Sequence, residues 1–364
     1  MKNIDFAFIV HSRDRTDMLR KFPILRFLPV RIFDILTMIL PPFIVSPITG
    51  LVNVHGNKSD GLVIGIPMTA HQLLESRTTA VKKIVKAVNL ARLKGASFVG
   101  LGAMTASLSH GGRDVIDNVQ DIYITTGRTY TIKNITEYVE YCIQKFKLDI
   151  NKIKIAIVGA AGGIGSGVAI SLARKGIKHF VLVDLERKLT RLQENIRVLE
   201  KHASDLTIDI SHLVSSVTDC YIVIAATNTP EVVIRSEDIS PGTIIINDAQ
   251  PSDVSPDILK MRNDVLVIEG GVLNTKNINC HFNLGLAEAS NIFSCLAETL
   301  WLTYRGIKKH HSIGEFDSQL YTTMQEDGLK LGFEISRPQN ASGYVPEDYL
   351  MKFAKIVRNR QLVK

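Results

Sequence analysis

Lys154-Ile155-Ala156-Ile157-Val158-Gly159-Ala160-Ala161-Gly162-Gly163-Ile164-Gly165 is the stretch that decides the fold. Lys154–Val158 reads as an apolar strand and Ile164–Lys175 as a helix, with a glycine-rich turn between them. Glycines at such a turn let the backbone and the helix N-terminus approach a pyrophosphate. The spacing is GxxGxxG, a variant of the more common GxGxxG. Asp184 follows 25 residues after Gly159, at the end of the next predicted strand, where an acid would hold ribose hydroxyls. Gly159, Ala160, Ala161, Gly162, Gly163, Ile164, Gly165 and Asp184 are therefore the expected cofactor-binding residues.

Outward from this loop the pattern repeats. Phe180–Asp184, Tyr221–Ala225, Thr243–Ile246 and Val265–Ile268 read as apolar strands, and Arg187–His202 as a charged amphipathic helix. Strands this apolar, alternating with helices, predict a doubly wound parallel sheet covered on both faces. Three segments sit at predicted strand ends, where open sheets bind ligands. They are Ala225-Ala226-Thr227-Asn228-Thr229-Pro230, Asp248-Ala249-Gln250-Pro251 and Gly270-Gly271-Val272. Thr227, Asn228 and Gly271 join the cofactor candidates on this ground. Asp184 repels a 2′-phosphate and favours NAD, whereas Arg187 beside Lys188 would accommodate NADP. The balance of the two favours NAD.

The region before Lys154 carries its own α/β signals. Ile4–Val10, Gly61–Ile66 and Phe98–Leu101 read as strands, and Thr78–Lys94 and Thr136–Phe146 as helices. After the sheet, Leu286–Tyr304 reads as one strong helix and the residues from Gly306 onward as a polar tail. The expected division is a smaller α/β substrate domain (1–147), a Rossmann domain (148–285) and a C-terminal segment (286–364) whose helix returns across the cleft.

With 45% hydrophobic and 22% charged residues, the composition is that of an ordinary soluble protein. A net charge of +7 suits acidic partners such as phosphorylated cofactors, a carrier protein or anionic lipid. Nucleic-acid signatures are absent, so no nucleic-acid partner is expected. Cys142, Cys220, Cys280 and Cys295 form no CxxC pair and follow no secretory leader, which points to a reducing cytoplasm. No metal site is expected, since His310-His311 has no further ligand at suitable spacing. Ile35–Asn57 holds no Asp, Glu, Lys or Arg. Pro41, Pro42 and Pro47 argue against a membrane span. A buried core segment is the ordinary reading, and a lipid-facing surface or an apolar wall for a long acyl chain is the sharper one.

Cys295 lies in Asn291-Ile292-Phe293-Ser294-Cys295-Leu296-Ala297-Glu298. A cysteine on an apolar helix is usually inert packing. A resemblance changes that weighting. The chain resembles the cyanobacterial long-chain acyl-carrier-protein reductases and their wider bacterial relatives, over most of its length and in the same order. The shared motifs are Thr49-Gly50, Leu101-Gly102-Ala103-Met104-Thr105, Thr125-Thr126-Gly127, Val158 through Ser166, Gly270-Gly271-Val272 and Phe293 through Glu298. The resemblance implies that Cys295 is the nucleophile that accepts an acyl group from a thioester of a carrier protein or coenzyme A. Hydride from NAD or NADP would then release an aldehyde. Two details depart from the family: Arg128 stands where Asn is frequent, and Asp184 stands against its usual preference for NADP.

Two other functions fit the layout. One is a shikimate- or amino-acid-dehydrogenase-like oxidoreductase without a covalent intermediate, needing an acid/base residue near Thr105 or His110. The other is a dinucleotide-binding partner or sensor without turnover. His281 is an additional acid/base candidate.

Overall fold

A computed structural model describes residues 4–229, 231–314 and 316–363. The chain forms two compact units, each discontinuous in sequence. The first is Met1–Tyr130 with Asn274–Glu334, and the second is Thr131–Leu273 with Ile335–Lys364. The expected division into three consecutive segments differs from this. Helices distant in sequence supply cover that neither sheet obtains from its own stretch of chain.

The first unit is built on β1 (Phe6–Ser12), β2 (Phe43–Val52), β3 (Lys58–Thr69), β4 (Phe98–Leu101) and β5 (Tyr123–Thr125), in the order β2-β3-β1-β4-β5. β1 pairs in parallel with β3 and β4, β4 in parallel with β5, and β2 antiparallel with β3. The central position of β1 explains why Phe6, Ala7, Phe8 and Ile9 are all buried. The Arg77–Leu93 helix turns Ala80, Ile84, Ala87, Val88 and Ala91 toward this core, a helical stripe whose other side is charged. β2 is an edge strand, which is where Pro47 can be tolerated.

Ile35–Asn57 is not the uniformly buried segment that its composition suggests. It comprises the end of a Val30–Ile39 helix, then β2, and Ile35 and Ile39 are 61% and 73% exposed. Among the described residues no helix is long and apolar enough to cross a membrane.

The second unit contains β6 (Lys154–Val158), β7 (His179–Val183), β8 (Thr207–Ser211), β9 (Ile222–Ala225), β10 (Ile244–Asn247) and β11 (Leu266–Glu269). All neighbours are parallel, in the order β11-β10-β9-β6-β7-β8. Read from β8, this is the 3-2-1-4-5-6 order of a Rossmann sheet, with the chain reversing direction between β6 and β9. The C-terminal residues are more than a polar tail. Glu347–Val363 is a helix whose Phe353 packs edge-on to Phe146, with centroids 5.3 Å apart. Tyr349 donates to the Val265 carbonyl (2.5 Å), and Arg360 donates to Thr243 Oγ1 (2.9 Å) while stacking on Tyr221.

Candidate functional site

The β6 turn has the geometry of a phosphate loop. Gly159 has φ +92°, and a Cβ there would meet the Ala226 carbonyl oxygen at 2.6 Å. The turn therefore sits tightly against the end of β9, at the point where the strand order reverses. Gly162 caps the Gly163–Arg174 helix without any side chain over its first N–H groups. A Cβ on Gly165 would lie 2.5 Å from the Gly159 carbonyl oxygen and 2.9 Å from Ala160 Cα, so this helix needs glycine to approach the turn. Bare N–H groups at a helix N-terminus favour an anion.

Asp184 directly follows β7 and is buried. Its Oδ2 accepts from Ala161 N–H (2.8 Å) and its Oδ1 from Leu185 N–H (2.8 Å), with the Lys188 ammonium 3.3 Å away. The acid thus braces the turn after β6. Arg187 is exposed on the Glu186–Lys188 turn.

The three other strand-end segments follow β9, β10 and β11, together with two carboxylates that the sequence pattern did not single out, Asp253 and Glu269. Asp253 is fully buried and accepts from both Thr227 N–H (3.0 Å) and Thr227 Oγ1 (2.6 Å). Burial pushes its carboxyl up to about 6, against those hydrogen bonds. Asp248 faces Gly271, where a Cβ would lie 2.5 Å from Asp248 Oδ1. Burial, with Glu269 and Asp253 nearby, holds the Asp248 carboxyl well above the usual range. Glu269 accepts from Asn247 Nδ2 (3.1 Å) and Gln250 Nε2 (3.2 Å). Asn134 donates to the Gly270 and Val272 carbonyls at 2.7 and 3.0 Å, fixing that turn. Asn228 and Thr229 lie on the same loop as Thr227, and Pro230 is outside the described residues.

Cys295 belongs to the first unit. The helix carrying it spans Ser294–Arg305 and starts eight residues later than the pattern predicts, because Asn291–Phe293 forms a strand. Cys295 consequently sits in the first turn, where the helix dipole favours negative charge on a thiolate or an adjacent oxyanion. A helix from Leu286 would set Glu288 and Asn291 on the Cys295 side, but neither residue is helical. Cys142, Cys220 and Cys280 are buried, while Cys295 is partly exposed. Burial raises the Cys142 and Cys280 thiols, the latter to about 12.

Two glycines seat this helix on the first sheet. A Cβ on Gly100 would collide with the Thr299 side chain. Gly127, at φ +71°, would place a Cβ within 3.0 Å of Cys295 Cα, Cβ and carbonyl oxygen. One turn along, Glu298 is fully buried. It accepts from Thr125 Oγ1, from Ser312 Oγ (2.5 Å) and from Tyr130 N–H (2.9 Å). Burial nevertheless raises its carboxyl. Arg128 donates to the Gly314 carbonyl and Thr126 Oγ1 to the Ser312 carbonyl (2.7 Å), so the 312–314 loop straps the same corner. Ser294 Oγ is buried beside Cys295 with no hydrogen-bond partner among the described residues.

The remaining candidates have structural occupations. His281 shares a hydrogen bond with Thr49 Oγ1 (2.8 Å) and is exposed, and His110 pairs with Asp114 (2.9 Å). Asp114 also pairs with Arg77 (3.1 Å), and Thr105 Oγ1 donates to the Gly102 carbonyl (2.7 Å). His310 accepts at Nδ1 from Ile124 N–H (3.0 Å). His11, unmarked in the sequence, is buried at the carboxyl end of β1, near Met104 N–H (3.4 Å). Burial lowers its pKa.

The model of the shikimate/quinate 5-dehydrogenase family matches residues 140–269, the part holding the phosphate loop and most of the Rossmann sheet. Among curated proteins the chain is similar to an aminotransferase, PigE, of Serratia sp., 25% identical over 276 residues. That match covers 72% of this chain, which spans only 30% of the length of the Serratia protein. It is also similar to the long-chain acyl-[acyl-carrier-protein] reductase of Synechococcus elongatus, 25% identical over 313 residues, with 81% and 87% of the two chains covered. A solved quinate dehydrogenase from Corynebacterium glutamicum, in complex with NAD, aligns over 91% of this chain and all of its own, at 11% identity and TM-score 0.40.

Proposed function

We propose that the chain is a nicotinamide-dependent oxidoreductase that reduces an acyl thioester to an aldehyde through Cys295. The coarse part rests on the phosphate loop, the strand order and the match to a dehydrogenase family. The finer part rests on one observation: the only partly exposed thiol of the four occupies the first turn of a helix held in place by Gly127 and Glu298. The similarity to the cyanobacterial acyl-carrier-protein reductase, spanning both units, supports the same reading.

In this mechanism Cys295 Sγ attacks the thioester carbonyl, and the carrier leaves as its thiol. Exchange between thioesters is nearly isoenergetic, so the acyl group moves onto Cys295 with little change in free energy. The helix N-terminus stabilises the oxyanion of that addition. Gly159 through Gly165 would hold the pyrophosphate of NAD(H) or NADP(H), with Asp184 at the ribose and Thr227, Asn228 and Gly271 lining the strand ends. When bound, the dinucleotide supplies the hydride. Cys295 is regenerated as the thiol when the aldehyde leaves. Asp184, by its charge, favours NAD over NADP despite Lys188 and the exposed Arg187. Cys295→Ser is expected to abolish aldehyde formation from acyl thioesters with NAD(P)H while dinucleotide binding persists. Undiminished turnover in that variant would overturn the mechanism.

A second reading has its own support. The family match favours a dehydrogenase of the shikimate/quinate type, with hydride transfer to a small hydroxy or keto acid and no covalent intermediate. The residues near which it needs an acid/base group are engaged otherwise: Thr105 with Gly102, His110 with Asp114, and Asp114 with Arg77. Turnover of such an acid, insensitive to thiol alkylation, would establish it in place of the first.

A further inference from the structure

The Val30–Ile39 helix of the first unit is apolar on its outside. Ile32, Ile35 and Ile39 are 51%, 61% and 73% exposed. At 100° per residue they fall within an arc of about 60°, on the side away from buried Phe33 and Thr37. The preceding Pro23–Phe27 turn adds Ile24 and Phe27, 75% and 73% exposed. Single exposed hydrophobics are ordinary, but five large ones on a turn and the helix after it are not.

The outward orientation is built into the fold. Thr37 Oγ1 lies 3.1 Å from Gln72 Oε1, and Gln72 Nε2 donates to the Asp34 carbonyl (3.2 Å). The Lys83 ammonium caps the helix C-terminus at the Thr37 and Leu40 carbonyls, 3.2 and 2.5 Å away. Arg15 donates to the Leu28 carbonyl (2.7 Å) and stacks over Phe33. These bonds hold the inner face down, so the isoleucines cannot turn inward.

Charge identifies the occupant. Residues 18–57 contain four cations, Arg20, Lys21, Arg26 and Arg31, against one acid, Asp34. Arg26 lies on the Phe27 ring, and Arg26 and Arg31 are both exposed. A second copy seated by two-fold symmetry would set this net-positive patch against the same net-positive patch. An anionic lipid surface meets both features at once, with aromatic and aliphatic side chains in the acyl boundary and guanidinium groups at the headgroups. We propose that the Pro23–Ile39 segment docks the protein onto an anionic bilayer surface, lying in its interface. This holds whichever reaction the chain performs.

The test is co-sedimentation of the full chain with vesicles of phosphatidylcholine alone or mixed with phosphatidylglycerol. Binding is expected to the mixed vesicles and to weaken as sodium chloride rises from about 0.05 to about 0.5 M. Ile35→Asp/Ile39→Asp is expected to cut partitioning by about tenfold or more. Arg26→Gln/Arg31→Gln should cut it by roughly 30-fold on mixed vesicles only. Both variants substitute exposed residues and should melt like the parent. Absence of binding, or equal binding by parent and variants, overturns the proposal. So does sedimentation equilibrium showing a dimer that Ile35→Asp/Ile39→Asp dissociates, which would assign the face to a second copy.

Discussion

Replacing Gly127 with alanine tests how Cys295 is positioned. Gly127 has φ +71°, which strains an L-residue by about 1–2 kcal/mol. The new Cβ would also lie within 3.0 Å of Cys295 Cα, Cβ and carbonyl oxygen, the last at 2.9 Å. Two of these atoms are backbone, which cannot rotate aside, so the helix start must move by about an ångström. Overpacking of this kind costs about 1–3 kcal/mol. The sum is about 2–5 kcal/mol, or a melting temperature lower by at least about 4 °C for a unit of this size. Gly306→Ala is the control, because Gly306 has φ +63° and nothing within 4 Å of its Cβ. It should show the backbone strain alone. Calorimetry gives the stabilities, and the rate of Cys295 carbamidomethylation by iodoacetamide, followed by peptide mass spectrometry, gives the position of the thiol. Gly127→Ala should change that rate several-fold and Gly306→Ala should not. Equal stability losses in the two variants, with Cys295 alkylated at parental rate in both, would refute the packing argument.

Two further predictions concern the second unit. Asp253 has its pKa raised from 3.8 to about 6, so its contribution to stability is fully present below about pH 4 and lost as pH rises through 6. That is on the order of 3 kcal/mol. Asp253→Asn should therefore flatten the decline in urea-unfolding stability between about pH 4 and pH 7, and parallel profiles for parent and variant would contradict the assignment. Gly165→Val should weaken NADH binding by about tenfold or more, since its Cβ must displace the Gly159 turn. Fluorescence titration measures this, and unchanged affinity would remove the turn from the cofactor site.

Five strands of the Rossmann sheet, β6, β7, β9, β10 and β11, were legible because they are short apolar runs and because glycines mark the turn after β6; their boundaries agree with the pattern within a residue. The edge strand β8 was not, because Thr207–Ser211 is largely exposed and alternates Ile with polar residues. The start of the Cys295 helix was not legible. Leu286–Phe293 carries enough Leu, Ala and Glu to continue the helical pattern, yet Thr275 N–H donates to the Ser290 carbonyl (2.8 Å) and a strand follows. The Glu347–Val363 helix did leave a trace, in Tyr349, Phe353 and Val357 spaced by four, but its charged outer face concealed it. The buried carboxylates are harder still. Glu298 finds Thr125 across 173 positions, and Asp253 finds Thr227 across 26. No spacing rule connects such residues, since only the closed sheets bring them together.

Acyl transfer onto Cys295 is the step on which the proposed reaction depends. Intact-mass spectrometry of the protein incubated with acyl thioesters, without nicotinamide, addresses this directly. The expected result is a mass increase of one acyl group, located by digestion on the peptide containing Cys295 and absent in Cys295→Ala. No adduct on the parent, or an adduct that persists in Cys295→Ala, would contradict it.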